Sequence, residues 1–226
     1  AGPTYAADFD AMGNLWLILN NIGHNYNVHC NFDSIYGRLV KVSPTGEVLL
    51  EREWSGDDAW YATDLSITDR GNILLVGRFR GKLEFDRLTV QHTGVNCSSA
   101  GFVAKIDPLG IPISARKIEG SRIPEAVVAN ADGTYTLAGY QQLPQPFSYP
   151  GYTHFPFGDK QQQLFTAVYS STDEVLAERT FLAEEEFDRG GFIFLVPGTE
   201  TDEWILQTEL EGMLDTFGVV APSWQI

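Results

Sequence analysis

One short phrase, a glycine turn followed by an apolar run, is repeated four times along the chain, and this repetition constrains the fold more than any other feature. The copies are Asp10-Ala-Met-Gly-Asn-Leu-Trp-Leu-Ile, Asp69-Arg-Gly-Asn-Ile-Leu-Leu-Val-Gly, Asp132-Gly-Thr-Tyr-Thr-Leu-Ala-Gly and Asp188-Arg-Gly-Gly-Phe-Ile-Phe-Leu-Val. Their reference glycines, Gly13, Gly71, Gly133 and Gly190, are 58, 62 and 57 residues apart. A second phrase follows each copy: Gly37-Arg-Leu-Val-Lys-Val-Ser-Pro-Thr-Gly46, Gly101-Phe-Val-Ala-Lys-Ile-Asp-Pro-Leu-Gly110, Leu164-Phe-Thr-Ala-Val-Tyr-Ser-Ser-Thr-Asp173 and Thr216-Phe-Gly-Val-Val-Ala-Pro222. A period of this size marks a repeat architecture, in which each unit buries its apolar face against its neighbours. The reading is therefore one domain over 1–226, with units of about 1–57, 58–122, 123–182 and 183–226.

Inside each unit the segments are short and extended. In the second, Leu65-Ser-Ile-Thr leads into the turn Asp69-Arg-Gly-Asn72, then Ile73–Val76, a Gly77 break, Gly81–Phe85 and Phe102–Ile106. Asp107-Pro-Leu-Gly110 then turns the chain into Ile113–Ile118. Aspartate caps such turns, proline presets φ, and glycine takes positive φ. Several runs are apolar at consecutive positions, as strands buried on both faces read. Eleven prolines and 22 glycines leave little room for helix, and Thr180–Asp188 is the best place for a single helical turn. The expectation is an all-β fold, a β-propeller of about four antiparallel blades. Leu15–Leu19, Ile73–Val76, Tyr135–Ala138 and Phe192–Val196 should be its core strands.

The run Gly77-Arg-Phe-Arg-Gly-Lys-Leu-Glu-Phe85, then Leu88-Thr, Gly101–Gly110 and Gly133–Gly139, resembles the bacterial β-propeller repeats called SBBP repeats. The resemblance is good across 64–140, fair across 8–50 and weak after 145. It implies a propeller fold and a secreted or cell-surface location, and its motifs are turn and core residues rather than chemistry. Units of about 60 residues exceed the roughly 40 to 50 of a typical blade. The chain also enters a unit midway and stops at Ile226. It therefore reads either as a small closed propeller with large loops or as a portion of a larger one. Either Tyr5–Asp10 lies beside Phe217–Ala221 and closes a ring, or both strands pair with another polypeptide, because open edges invite pairing.

Charge narrows the partners. Thirty acids against 15 bases give a net charge of −15. Such a surface repels nucleic acid, whose binding depends on Lys and Arg, and suits solubility. Apolar runs of about five residues fall far short of the roughly 20 a membrane helix needs. No cationic-then-apolar segment opens the chain, although Ala1-Gly-Pro is compatible with a processed secretory start.

The candidate chemistry is thin. His29, His92 and His154 recur 63 and 62 residues apart, each before a second phrase, and with Asp33, Asp86 or Asp159 form a weak metal candidate. Cys30 and Cys97 precede the second phrases of adjacent units and form a disulfide candidate. Pro144–Gly158 holds Phe147, Tyr149, Tyr152, Phe155 and Phe157 among four prolines, a stiff aromatic segment suited to stacking on sugar or docking on protein. Asp8–Asn14 looks loosely like a calcium loop but lacks its terminal glutamate, and hairpin chemistry explains it better. No Gly-x-Ser-x-Gly, His-Glu-x-x-His, P-loop or dinucleotide fingerprint is present. The expected function is a secreted or cell-surface scaffold that binds protein or polysaccharide without a cofactor; enzyme activity is left open, with the reading leaning against it. The alternative is a lectin-like sugar binder or a propeller enzyme acting on polysaccharide.

Overall fold

The computed structural model describes residues 4–20, 36–57, 60–93, 99–142, 162–182, 192–197, 204–210 and 213–217. These residues hold strands and turns and no helix. Strands β1 (Thr4–Phe9), β2 (Leu15–Asn20), β3 (Tyr36–Val42) and β4 (Val48–Gly56) run up and down as neighbours in a first sheet. In the second sheet β5 (Trp60–Ile67), β6 (Ile73–Phe79), β9 (Ala100–Ile106) and β10 (Pro112–Lys117) do the same. Between β6 and β9 the hairpin β7 (Gly81–Phe85) and β8 (Leu88–His92) departs and extends the first sheet, pairing Leu83 with Gly56 and Glu84 with Ser55. The third sheet orders β11 (Arg122–Ala129), β12 (Tyr135–Gln142), β13 (Gln162–Tyr169) and β14 (Val175–Leu182). The fourth orders β15 (Phe192–Pro197), β16 (Trp204–Leu210) and β17 (Met213–Phe217). Every strand pair is antiparallel.

The repeated turns explain the repeated sequence. Gly13, Gly71 and Gly133 take φ of 77°, 77° and 87° at equivalent hairpins, where an L side chain would be strained. Each donates its N–H to the carbonyl three residues back, on Asp10, Thr68 and Asn130. The Asp8–Asn14 segment is hairpin chemistry, as its sequence suggests. The Asp10 carboxylate accepts from the Met12 and Asn14 backbone, the Asn14 amide and the Trp16 indole, and it pairs with Lys41 at 3.0 Å. Burial opposes its charge, but the hydrogen bonds from Asn14, Lys41 and Trp16 win and hold Asp10 well below the usual carboxylate range.

The first three sheets stack face to face. Between the first and second lie Trp16, Ile18, Leu39, Trp54, Trp60, Ile73, Leu75, Phe79, Phe85 and Phe102, all buried. Their rings meet edge-on, Trp54 with Phe85 at 5.2 Å and Trp60 with Phe102 at 6.1 Å, the geometry ring quadrupoles favour. Between the second and third lie Leu74, Val76, Val103, Val127, Tyr135, Leu137, Phe165 and Tyr169. Ile73 and Leu75 thus face one sheet while Leu74 and Val76 face the other. This two-sided burial is what produces the continuous apolar run Ile73–Val76.

The first described strand of each sheet packs against that of the next, β1 on β5, β5 on β11 and β11 on β15. Each of β1, β5 and β11 ends its own ladder, so its outward N–H groups need partners. On β5 and β11, side chains of the preceding sheet supply them. Asp8 accepts from the Ile67 N–H at 2.9 Å, Ser66 from Ala129 at 3.0 Å and Asp64 from Val127 at 2.8 Å. Asp8 and Ser66 each stand five residues before their turn glycine and serve equivalent N–H groups. The buried Asn20 amide adds a two-way clasp on Ala62, donating at 2.8 Å and accepting at 3.2 Å.

Three of the four expected core strands, β2, β6 and β12, occupy equivalent second positions in their sheets. In the fourth sheet β15 is the first described strand, and 183–191 lie outside the described residues. The helical turn expected over Thr180–Asp188 is corrected through Leu182, because Thr180 and Leu182 pair with Phe165 and Gln163 as part of β14. Among the described residues β1 and β17 belong to different sheets with no ladder between them, and Gly218–Ala221 lie outside those residues.

Candidate functional site

A recurring irregularity in the first strands assembles the most reactive group of side chains. Each of β1, β5 and β11 carries one extra residue against its neighbour, Tyr5, Thr63 and Glu125. All three stand eight residues before their turn glycine. Such a bulge interrupts the ladder and re-aims a side chain. Gly77 and Gly139 lie opposite the second and third bulges, paired with Ala62 and Pro124.

Around these bulges the second and third sheets bring together Tyr61, Asp64, Arg78, Glu125 and Tyr140. Tyr61 and Arg78 are cross-strand partners, and the Arg78 guanidinium lies 5.1 Å from the Tyr61 ring centre. Arg78 is exposed and donates to the Tyr140 hydroxyl at 3.4 Å. Asp64 and Glu125 are half-buried. Burial pushes Asp64 up to about 7 against the N–H bonds from Val127 and Leu65, with the Asp8 charge adding to the rise. Burial also pushes Glu125 up to about 7; the Arg78 charge opposes the rise and the Asp64 charge reinforces it. Two carboxyl groups that change charge near neutrality beside an exposed cation and two phenols form a polar site in an otherwise apolar seam.

A second polar network, on the opposite side of this seam's core, is a clamp. Asp173 takes the place that Gly46 and Gly110 hold in the other units and keeps a positive φ of 71°. Its carboxylate accepts from the Tyr135 hydroxyl at 2.6 Å and pairs with Lys105 at 2.6 Å. Arg116 donates to the same hydroxyl at 3.0 Å, and Tyr135 stacks on Tyr169 at 5.1 Å. Burial and the bond to Asp173 hold the Tyr135 phenol well above its ordinary value. Asp173→Ala is expected to lower stability by about 2 kcal/mol, since it removes the acceptor of the Tyr135 hydroxyl and the carboxylate partner of Lys105. Asp173→Gly should be about 1 kcal/mol milder, because glycine relieves the left-handed backbone. Urea unfolding of the two variants checks the order, and equal losses would refute the backbone contribution.

The sequence candidates fare differently. Phe147, Tyr149, Tyr152, Phe155 and Phe157 lie outside the described residues, as do His29, His154, Asp33, Asp159, Cys30 and Cys97. His92 ends β8, its ring edge-on to Phe79 at 6.2 Å. Among the described residues no three His, Cys, Asp or Glu side chains are grouped to hold a metal ion. The sequence reading missed Asp64, Arg78 and Glu125. The available signal was a lone carboxylate inside each of two apolar strands, Tyr61–Ile67 and Ile123–Ala129, and the 62-residue spacing of Arg78 and Tyr140.

No family model matches the chain, and no curated protein matches it. Among solved structures it is similar to a mutant of the Synechocystis apocarotenoid oxygenase, at 12% identity and a TM-score of 0.44, covering 92% of this chain and 56% of that one. The cobalt-substituted form of the same oxygenase is similar at 12% identity and a TM-score of 0.43, with the same coverage. The chain spans about half the length of these structures. No helix of the described residues is long and apolar enough to cross a membrane.

Proposed function

We propose that the chain is a β-propeller-type binding scaffold, secreted or displayed at the cell surface, that docks another protein through its hairpin end. The propeller reading rests on successive antiparallel meanders whose first described strands follow one another, β1 to β5 to β11 to β15. One observation supports docking above the others. Large apolar side chains stand exposed at matching places beside the second-phrase turns. They are Val48 and Leu49 after Gly46, Ile111 and Ile113 after Gly110, and Val175 and Leu176 after Asp173. Leu109, at 66% exposure, and Met12, at 80%, project from turns at the same end. Repeated outward apolar positions add no stability to a lone chain, and apolar side chains exposed together at one end fit an interaction surface.

The test is site-specific photo-crosslinking in the source cells at 109, 113 and 176, with Glu84 as a control position. One defined polypeptide should be captured at all three sites and not at the control. Leu109→Glu with Ile113→Glu should abolish capture at 176 without lowering the melting temperature. Capture that ignores these substitutions, or that is equal at the control, would overturn the proposal.

A further inference from the structure

We infer that Tyr61, Arg78, Glu125 and Tyr140 form a second binding site, at the end of the molecule away from the apolar hairpins, for a neutral sugar. Register fixes the location. Tyr61 pairs with Arg78, and Tyr140 pairs with Ile123 just before the Glu125 bulge. The hairpins at Gly71 and Gly133 close the opposite ends of these strand pairs. The four side chains therefore lie together where β5 and β11 begin, around the two bulges.

Hydrogen-bonding capacity and charge name the ligand class. Arg78 has five N–H donors, and one serves the Tyr140 hydroxyl. Glu125 is a half-buried acceptor within range of the Arg78 charge, in a bulge with no ladder partner of its own. A sugar hydroxyl donates and accepts at once, so adjacent hydroxyls bridge a guanidinium and a carboxyl group. The Arg78 guanidinium covers one face of Tyr61, and the solvent-facing parts of the half-buried Tyr61 and Tyr140 rings add apolar surface for the C–H face of a pyranose. A simple cation would be repelled by Arg78. An anion would meet two carboxyl groups, Glu125 and Asp64, that ionise near neutrality, the Asp8 charge that acts on Asp64, and a chain of net charge −15. A neutral polyhydroxylated ligand meets neither obstacle. Thr63 takes no part, because its hydroxyl already donates to the Pro124 carbonyl at 2.8 Å.

The probes are neutral hexasaccharides of glucose (α-1,4, β-1,4 and β-1,3), xylose and mannose, with a sulfated oligosaccharide as the charged control. Calorimetry on the full chain should show at least one neutral sugar binding with a Kd in the micromolar to millimolar range. Arg78→Ala and Glu125→Gln should each weaken it about tenfold or more, while the double substitution at 109 and 113 leaves it unchanged. Arg78 is exposed, so its variant tests the site even where Glu125→Gln fails to fold. Three results would overturn the inference: no neutral sugar bound at millimolar concentration, affinity unaltered in Arg78→Ala, or tighter binding of the sulfated control. None of these bears on the hairpin end, so the two proposals fail separately.

Discussion

Gly77→Ala is expected to lower stability by more than about 3 kcal/mol, and Gly139→Ala by a similar amount. A Cβ at Gly77 would run into the Tyr61 carbonyl oxygen and stand 2.8 Å from the Ala62 Cα. At Gly139 it would meet the Ile123 carbonyl oxygen and stand 2.8 Å from the Pro124 Cα. Both obstacles are backbone, so no rotamer change relieves them, and the bulged first strand would have to leave its seam. Gly46 and Gly133 provide the comparison. A Cβ there meets nothing within 4 Å, and alanine carries only the left-handed backbone cost, about 1 to 2 kcal/mol. For a chain of this size 3 kcal/mol corresponds to a melting temperature lowered by about 6 to 12 °C. Thermal unfolding of the four alanine variants separates the two classes. A Gly77→Ala variant as mild as Gly133→Ala would refute the bulge register.

Much of the fold is legible because the repeat copies backbone requirements. A turn glycine, an apolar run and a second-phrase turn are dictated by φ and by sheet burial, so they recur in register at Gly13, Gly71 and Gly133. Gly37 and Gly101 recur for a further reason that spacing alone does not disclose. A Cβ on Gly37 would enter the Trp60 indole, and one on Gly101 would strike the Arg122 carbonyl. Trp60 and Arg122 are themselves 62 residues apart, so each glycine marks where the next sheet's first strand crosses. The hairpin β7–β8 was not legible as an extension of the first sheet. Its sequence specifies a hairpin, but only the position of β4 decides which edge it joins.

The candidate site was less legible because it is assembled from positions that differ between units. Tyr5, Thr63 and Glu125 share the bulge position and have unlike side chains, so no shared motif announces them. A carboxylate such as Asp64 reads in sequence as one acid among thirty. Only the stacking of β5 on β11 removes water from it and places Glu125 close enough to feel its charge. Of the three regularly spaced histidines, only His92 lies among the described residues.

The pH dependence of folding should reveal that acid pair. Asp64 and Glu125 sit at about 7 in the folded chain against reference values of 3.8 and 4.5. Between roughly pH 4 and pH 7 the folded state therefore binds more protons than the unfolded state, and stability must fall as pH rises through that window. Their contribution is complete below pH 4 and lost above pH 7. Asp10 acts in the opposite sense. Its folded value is held low, so its contribution is present above its reference value of 3.8 and disappears as pH falls below it. Stability should thus peak near pH 4 to 5 and decline by roughly 2 kcal/mol or more toward pH 8. That decline is a melting temperature lowered by about 4 to 8 °C. Asp64→Asn keeps an acceptor for the Val127 N–H and removes the titration. It should flatten the decline, as should Glu125→Gln, and the double variant should abolish it. Melting curves of the four proteins across this pH range decide the matter. A decline of equal slope in the double variant would show that other groups titrate and that the seam between β5 and β11 does not hold its carboxyl groups neutral.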